Sequence, residues 1–297
     1  MTATGSLSIR AEWQAPQPLS AGTLSVTLQR PTAARLFIGQ LPAVVAKTVP
    51  YLYSLCAQAQ RAAAQAALAA AGNQPLPATD SQHRQALWQE VLHESLWRLL
   101  LDWPAALGLP PAKDAFAHWR SARLAADGEQ ATARLLAETL APLAEQCLAR
   151  LPGVADDPAP LPELAPATWR EDAPPPVPAS IAAAYRQRLA LVRAAATALQ
   201  EDRPYPLAAA SVDGWGIAQA LTARGVLTHA VQLHEGKVRA YRIHAPTDAL
   251  FADATPLTAL LASLPPPASA ESARQALEQA ILALDPCLPY TLELIHA

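Results

Sequence analysis

The 29 prolines of this 297-residue chain set the outer limits of what it can fold into. Proline has no backbone N–H, fixes φ, and disfavours a helical residue before it, so helices tend to start just after one and stop just before the next. Between these punctuation marks lie helix-length apolar segments. The sequence predicts a helix opening after Pro50 and running through an alanine-rich stretch to Gly72, read as a left-handed cap. A second starts near Ser81, carries Trp88, Leu92, Leu99 and Trp103 at helical spacing, and ends before Pro104. Further helices are expected at roughly 112–126 and 129–150. Ser180 caps a long helix that breaks at Pro204, a short helix falls near 256–264, and a last one carries Leu277, Ile281 and Leu284 until Asp285-Pro286 stops it.

Strand signals are fewer. Leu24, Val26 and Leu28 alternate with polar neighbours, the period of a half-buried strand. In 225–244, Leu227, His229, Val231 and Leu233 share one face, Glu235-Gly236 makes a turn, and the chain returns from Lys237 to His244. The segment 151–180 holds nine of the prolines and by composition alone reads as a linker between two domains.

Composition excludes several classes. Hydrophobic residues make up 52% of the chain, enough for a sizeable core, yet no apolar run reaches the ~18–20 residues of a membrane-spanning helix. The start of the chain shows no secretory signal pattern, so a cytoplasmic location is expected. The net charge is −3 and no cluster of Lys or Arg stands out, which argues against nucleic acid. Three lysines against nineteen arginines, with heavy Ala and Pro usage, point to genome composition, and alanine content is set aside as a functional signal. Three cysteines (Cys56, Cys147 and Cys287) cannot build a disulfide framework and are expected as free thiols or ligands.

Several catalytic patterns fail on inspection. His93-Glu94 opens a zinc-protease motif, but Trp97 stands where the second histidine belongs. Gly214-Trp215-Gly216 opens a dinucleotide fingerprint, but Gln219 replaces its third glycine and no strand is evident before it. Gly236-Lys237 lacks a phosphate loop upstream, no GxSxG elbow occurs, and no CxxC supports a thiol-redox role. Cys147 keeps helical spacing with Leu136, Leu140, Leu143 and Leu151, the pattern of a core thiol.

Three segments together carry a more specific pattern. Tyr51-Leu52-Tyr53-Ser54-Leu55-Cys56-Ala57-Gln58-Ala59-Gln60 opens the alanine-rich helix. Ala223-Arg224-Gly225-Val226-Leu227-Thr228-His229 enters the hairpin, followed by His244-Ala245-Pro246-Thr247. Asp285-Pro286-Cys287-Leu288-Pro289-Tyr290 lies near the C-terminus. In that order they resemble the large subunit of NiFe hydrogenases, whose motifs are RxCxxCxxxH, APRGxLxHW with a downstream PTTWN, and DPCxxCxxH. Here Tyr53 takes the place of the first cysteine, Gln60 that of the first histidine, Tyr290 that of the last cysteine and Glu293 that of the last histidine.

Four thiolates hold the nickel–iron centre of that family; two cannot, so the resemblance implies neither nickel nor hydrogenase activity. It implies instead a HupK/HoxV-type maturation protein, a degenerate large-subunit homologue. The expectations that follow are a mainly α-helical, large-subunit-like fold with small β-hairpins (α+β), in one domain over 1–297. Residues 151–180 then become an ordered crossing rather than a linker, because Cys56 and Cys287 must converge. The function implied is that of a non-enzymatic assembly scaffold that transiently holds an iron carrying two cyanides and one carbon monoxide, Fe(CN)2(CO). Cys56 and Cys287 would be its ligands and Arg224 the partner of its cyanides, with Gln60, His229 and Glu293 around them. Its partners would be the small maturation chaperone with its iron-centre-assembly partner, and the apo large subunit. The alternative from another class is a metal-free chaperone that binds a hydrogenase subunit or maturation factor.

Overall fold

The computed structural model describes residues 5–15, 17–31, 33–53, 55–151 and 160–296. The chain opens with strand β1 (Ser6–Trp13), whose alternate residues Leu7, Ile9, Ala11 and Trp13 are buried. Strand β2 (Leu24–Gln29) pairs antiparallel with it, and a 3-10 turn at Ala33–Phe37 leads into helix α1 (Pro42–Leu52). Helix α2 (Ala57–Ala71) follows after a break. The sequence suggested one helix from Pro50 to Gly72. In the structure the first helix begins eight residues earlier, carries Pro50 in its last turn, and stops four residues before Cys56. Nor is Gly72 the left-handed residue, a place taken by Asn73 with φ of 51°.

Helix α3 (Ser81–Trp97) starts where Asp80 accepts a hydrogen bond from the His83 amide at 2.8 Å. It does not end before Pro104. A π-helical turn at Arg98–Asp102 carries it into α4 (Trp103–Ala106), where Pro104 sits in a first turn that has no need of its N–H. Helices α5 (Lys113–Ala122), α6 (Gly128–Arg134) and α7 (Ala141–Leu148) follow, the last two joined by a second π-helical turn at Leu135–Leu140. Helix α8 (Ile181–Gln200) is capped by Ser180, whose hydroxyl accepts from the Ala183 amide at 3.0 Å.

A four-stranded antiparallel meander comes next: β3 (Leu207–Val212), β4 (Trp215–Thr222), β5 (Gly225–His234) and β6 (Lys237–His244). Two of its turns place a residue with a side chain and then a glycine in the left-handed region, Asp213-Gly214 and Glu235-Gly236, as tight hairpins require. Helices α9 (Pro246–Leu250), α10 (Thr255–Leu261) and α11 (Ala270–Leu284) close the helical part. Strand β7 (Tyr290–His296) then returns to pair parallel with β1, making a three-stranded sheet of order β2-β1-β7.

The fold is α+β, with two real sheets where the sequence suggested isolated hairpins. One buried cluster draws on β1, α2, α3, α8 and α11 around Leu92, Leu96, Trp103, Tyr185 and Ile281. A smaller one joins α1 and α2 to the four-stranded sheet through Phe37, Val45, Val49, Ala67 and Val231. The alanines of α2 have a steric purpose that composition concealed. Ala59, Ala63, Ala64, Ala66 and Ala67 are fully buried, and a Cβ placed on Gly216 of β4 would collide with the backbone of Ala67 and Ala71. Helix and strand approach too closely there for larger side chains. In the proline-rich segment, residues 152–159 lie outside the described residues. The part that follows crosses the four-stranded sheet, where the Ala165 amide donates to Gln219 Oε1 at 2.7 Å and Trp169 packs edge-on to His244.

Candidate functional site

Two sheet pairings and one helix start converge on a half-buried group of polar side chains. Cys56 is the residue before α2, at the positive end of that helix. Glu90 of α3 takes the first free amides of α2, accepting from Gln58 N at 2.7 Å and Ala59 N at 3.0 Å. Cys287 lies between α11 and β7, with its amide donating to Thr247 Oγ1 at 3.1 Å. Because β1 holds β2 on one side and β7 on the other, Arg30 at the end of β2 reaches Cys287, donating from Nη2 to Sγ at 2.9 Å. The same guanidinium forms an ion pair with Asp248.

The two thiols are close enough for the charge of Cys287 to act on Cys56. Burial, then Glu90, then Cys287 push the Cys56 thiol up to about 12, against the opposing pull of Arg224 and Gln60. Tyr53 stands in the same field; burial raises its hydroxyl to about 12, with Asp248 and both thiols adding to the rise and Arg30 opposing it.

Arg224 is almost wholly buried and lies within electrostatic reach of both sulfurs, but it also has carboxylate partners. Its Nη2 donates to Glu94 Oε2 at 3.0 Å, and its Nε lies 3.5 Å from Asp285 Oδ2. Asp285, the left-handed cap of α11 with φ of 48°, is ringed by three arginines. Arg98 Nε and Arg188 Nη2 each donate to it at 2.6 Å, and Arg98 also donates to the Pro286 carbonyl at 3.0 Å. Burial alone would raise the Asp285 carboxyl; Arg188, Arg224 and Arg98 instead hold it near 2. This ring fixes the backbone immediately before Cys287.

Behind Cys56 runs a directional hydrogen-bond chain. Tyr241 OH lies 2.8 Å from His229 Nδ1, His229 Nε2 lies 2.9 Å from Gln60 Oε1, and Gln60 Nε2 donates to Cys56 Sγ at 3.7 Å. Since Gln60 Oε1 can only accept, His229 donates from Nε2 and accepts the tyrosine proton at Nδ1. Burial lowers the His229 imidazole to about 3, so it stays neutral.

The structure therefore brings Cys56, Cys287, Arg224 and Gln60 together, with His229 one hydrogen bond further out. Glu293 is not among them. It sits on the solvent side of β7, two-thirds exposed and 4.0 Å from Arg10, because the parallel pairing with β1 turns that position away. Cys147 is fully buried on α7, with Tyr185 and Arg150 as its polar neighbours. Sequence reading missed Arg30, Glu90, Glu94, Arg98 and Arg188. Only Glu94 had drawn attention, inside a failed zinc motif, and no spacing rule links any of them to the cysteines.

Among the described residues no group of three or more His, Cys, Asp or Glu converges as a metal-ion cage. The donor set is two sulfurs with arginine N–H groups beside them. Such a set suits a soft metal that arrives with anionic ligands of its own.

No family model matches the chain. It is 33% identical to the hydrogenase expression/formation protein HupV of Azotobacter chroococcum mcd 1, over 91% of this chain and 94% of that protein. It is 32% identical to the hydrogenase expression/formation protein HupK of Azotobacter vinelandii, again over 91% of this chain and 94% of the relative. A HupK of Rhodobacter capsulatus is 38% identical over a shorter stretch, 30% of this chain. Identity at this level, sustained across nearly the full length of both Azotobacter proteins, places the chain in the HupV/HupK family of hydrogenase expression/formation proteins.

Proposed function

We propose that this protein acts in hydrogenase maturation as a non-catalytic scaffold, holding an Fe(CN)2(CO) unit on Cys56 and Cys287 before passing it to the apo large subunit. The observation that carries the reading is the convergence of two thiols from opposite ends of the chain beside Arg30 and Arg224. Iron with three diatomic ligands has half of an octahedral sphere filled, so two thiolates suffice to dock it. Cyanide nitrogens carry negative charge, and buried guanidinium N–H groups are suited to receive them. Cys56 must lose its proton on loading, and its raised pKa opposes ionisation until the metal arrives. Two sulfur ligands also hold cargo less firmly than four, as a transfer step needs.

The test is infrared spectroscopy of protein purified from its native host. Cyanide and carbonyl stretching bands are expected in the wild type and in Cys147→Ser. They are expected to be lost in Cys56→Ser and in Cys287→Ser. Absence of bands from wild-type protein that still supports maturation would establish the metal-free chaperone instead.

A further inference from the structure

Ten large apolar side chains are conspicuously exposed among the described residues, and six of them fall between positions 36 and 55. These are Leu36, Ile38, Leu41, Val44, Tyr51 and Leu55, with Leu36 at 64% and Tyr51 at 85% exposure. The other four are scattered singly along the rest of the chain. Leu41, Val44 and Tyr51 follow one another at helical spacing from the start of α1, while Val45 and Val49 on its other side are buried against the four-stranded sheet. Helix α1 is thus apolar on both faces, the pattern of a helix covered on both sides. The turn before it is held firmly in place. The Gly39 amide donates to the Val238 carbonyl at 2.8 Å, and the Val238 amide returns to Gln40 O at 2.9 Å. The patch is therefore a fixed surface on the edge of β6.

Its position and its charge say what covers it. The patch ends at Leu55, directly beside Cys56, and Tyr53 between its last two members lies in the field of both thiols. The chain has 25 acidic residues, yet none between Pro31 and Cys56. The only charges there are Arg35 and Lys47, both exposed. A second copy meeting this face about a two-fold axis would set those cations against themselves. We infer that the face carrying Leu36, Ile38, Leu41, Val44, Tyr51 and Leu55 is the docking surface for a maturation partner that presents an apolar segment flanked by carboxylates, seated so that cargo passes directly to or from Cys56 and Cys287. The inference rests on the proposed maturation role. An exposed apolar surface of this kind, with a charged rim, is the usual form of a protein–protein site.

The experiment measures binding of the full-length chain to two purified proteins, the apo hydrogenase large subunit and the small iron-centre chaperone of the same host. The double variant Val44→Glu/Tyr51→Glu alters side chains already in solvent, so its circular dichroism should match the wild type. Binding to one of the two proteins should weaken about tenfold or more. Lys47→Glu should weaken it severalfold and flatten its dependence on salt. Leu124→Glu, an exposed control elsewhere, should bind as the wild type does. Full binding by the double variant, or no binding of either protein by the wild type, would overturn the inference. So would a concentration-dependent dimer that the double variant abolishes, since a second copy would then cover the face. Loss of binding in the double variant, in a protein that never shows cyanide bands, would sustain the docking surface and discard the iron reading.

Discussion

At the scale of single residues, the buried groups around the thiols make the fold sensitive to acid, and His229, Glu90 and Asp285 set the window. His229 is held neutral in the folded state, near 3, while an unfolded histidine protonates near 6.5. Below about pH 6.5 the unfolded chain therefore takes up a proton that the folded chain refuses. Taken alone, this lowers stability by up to about 1.4 kcal/mol per pH unit until about pH 3. Glu90, raised by burial to about 7, takes up its proton first in the folded chain and offsets the loss between about pH 7 and 4.5. Asp285 adds to this loss lower down: its folded value near 2 is below that of an unfolded aspartate, so its contribution is complete above about pH 4 and vanishes toward pH 2. Denaturant unfolding at stepped pH should show a net decline below about pH 4.5. His229→Gln should leave Glu90 unopposed, so that stability rises as pH falls from about 6.5 to 4.5, and an unchanged profile would mean that His229 is not held neutral.

Arg224 is the residue where structure revises the expectation most. A side chain that only partnered cyanides could become lysine with the fold undisturbed. The guanidinium in fact bridges Glu94 and Asp285 from inside the protein. A lysine keeps the charge but cannot reach both carboxylates, so Arg224→Lys should cost roughly 1.5–3 kcal/mol of stability as well as cargo. Unfolding and infrared measurements on the same preparation check both losses. A stable variant would show that the ion pair to Asp285 is dispensable.

At the scale of elements, the start of α2 is the joint on which Cys56 depends. It is built by Glu90 reaching across from α3 rather than by a local cap. Burial raises this carboxyl to about 7, and it is the largest charge influence raising Cys56. Glu90→Ala should cost about 1–3 kcal/mol through the two amides it strands. It should also speed alkylation of Cys56 by iodoacetamide, because the thiol ionises more readily without a neighbouring anion. Slower alkylation would contradict this arrangement. The other end of the helix is fixed by packing. Gly216→Ala should destabilise the protein by about 1–3 kcal/mol by pushing α2 off β4, read as a lower denaturant midpoint.

Across the whole molecule, the site exists because the last strand returns to the first. Ile9 lies fully buried in the centre of β1, opposite Val26 of β2 and Leu292 of β7. Ile9→Ala should cost about 2–5 kcal/mol. If the three-stranded sheet is what carries Arg30 to Cys287, the same change should also raise the reactivity of Cys287 toward a thiol reagent more than that of Cys147. Equal increases at both thiols would indicate general loosening instead.

What the sequence alone determined is what short-range chemistry controls. Ser180 capped its helix, Glu235-Gly236 turned its hairpin, and Leu24, Val26 and Leu28 made a strand, because caps, left-handed turn positions and hydrophobic period act within a few residues. Local signals also misled where tertiary packing outweighed them. Pro50 sits in the last turn of α1 rather than ahead of a helix, Pro104 in the first turn of α4 rather than beyond the end of one, and the alanine-rich strand β3 gave no alternation to read. Cys56, Cys287 and Arg224 were singled out by motif, yet their meeting place was decided by the pairing of β1 with β7 and by a ring of arginines around Asp285. Arg30, Glu90, Arg98 and Arg188 come from four different elements and share no spacing with the thiols. Only the folded chain brings them to one place, since an ion pair depends on distance in space and leaves no period in sequence.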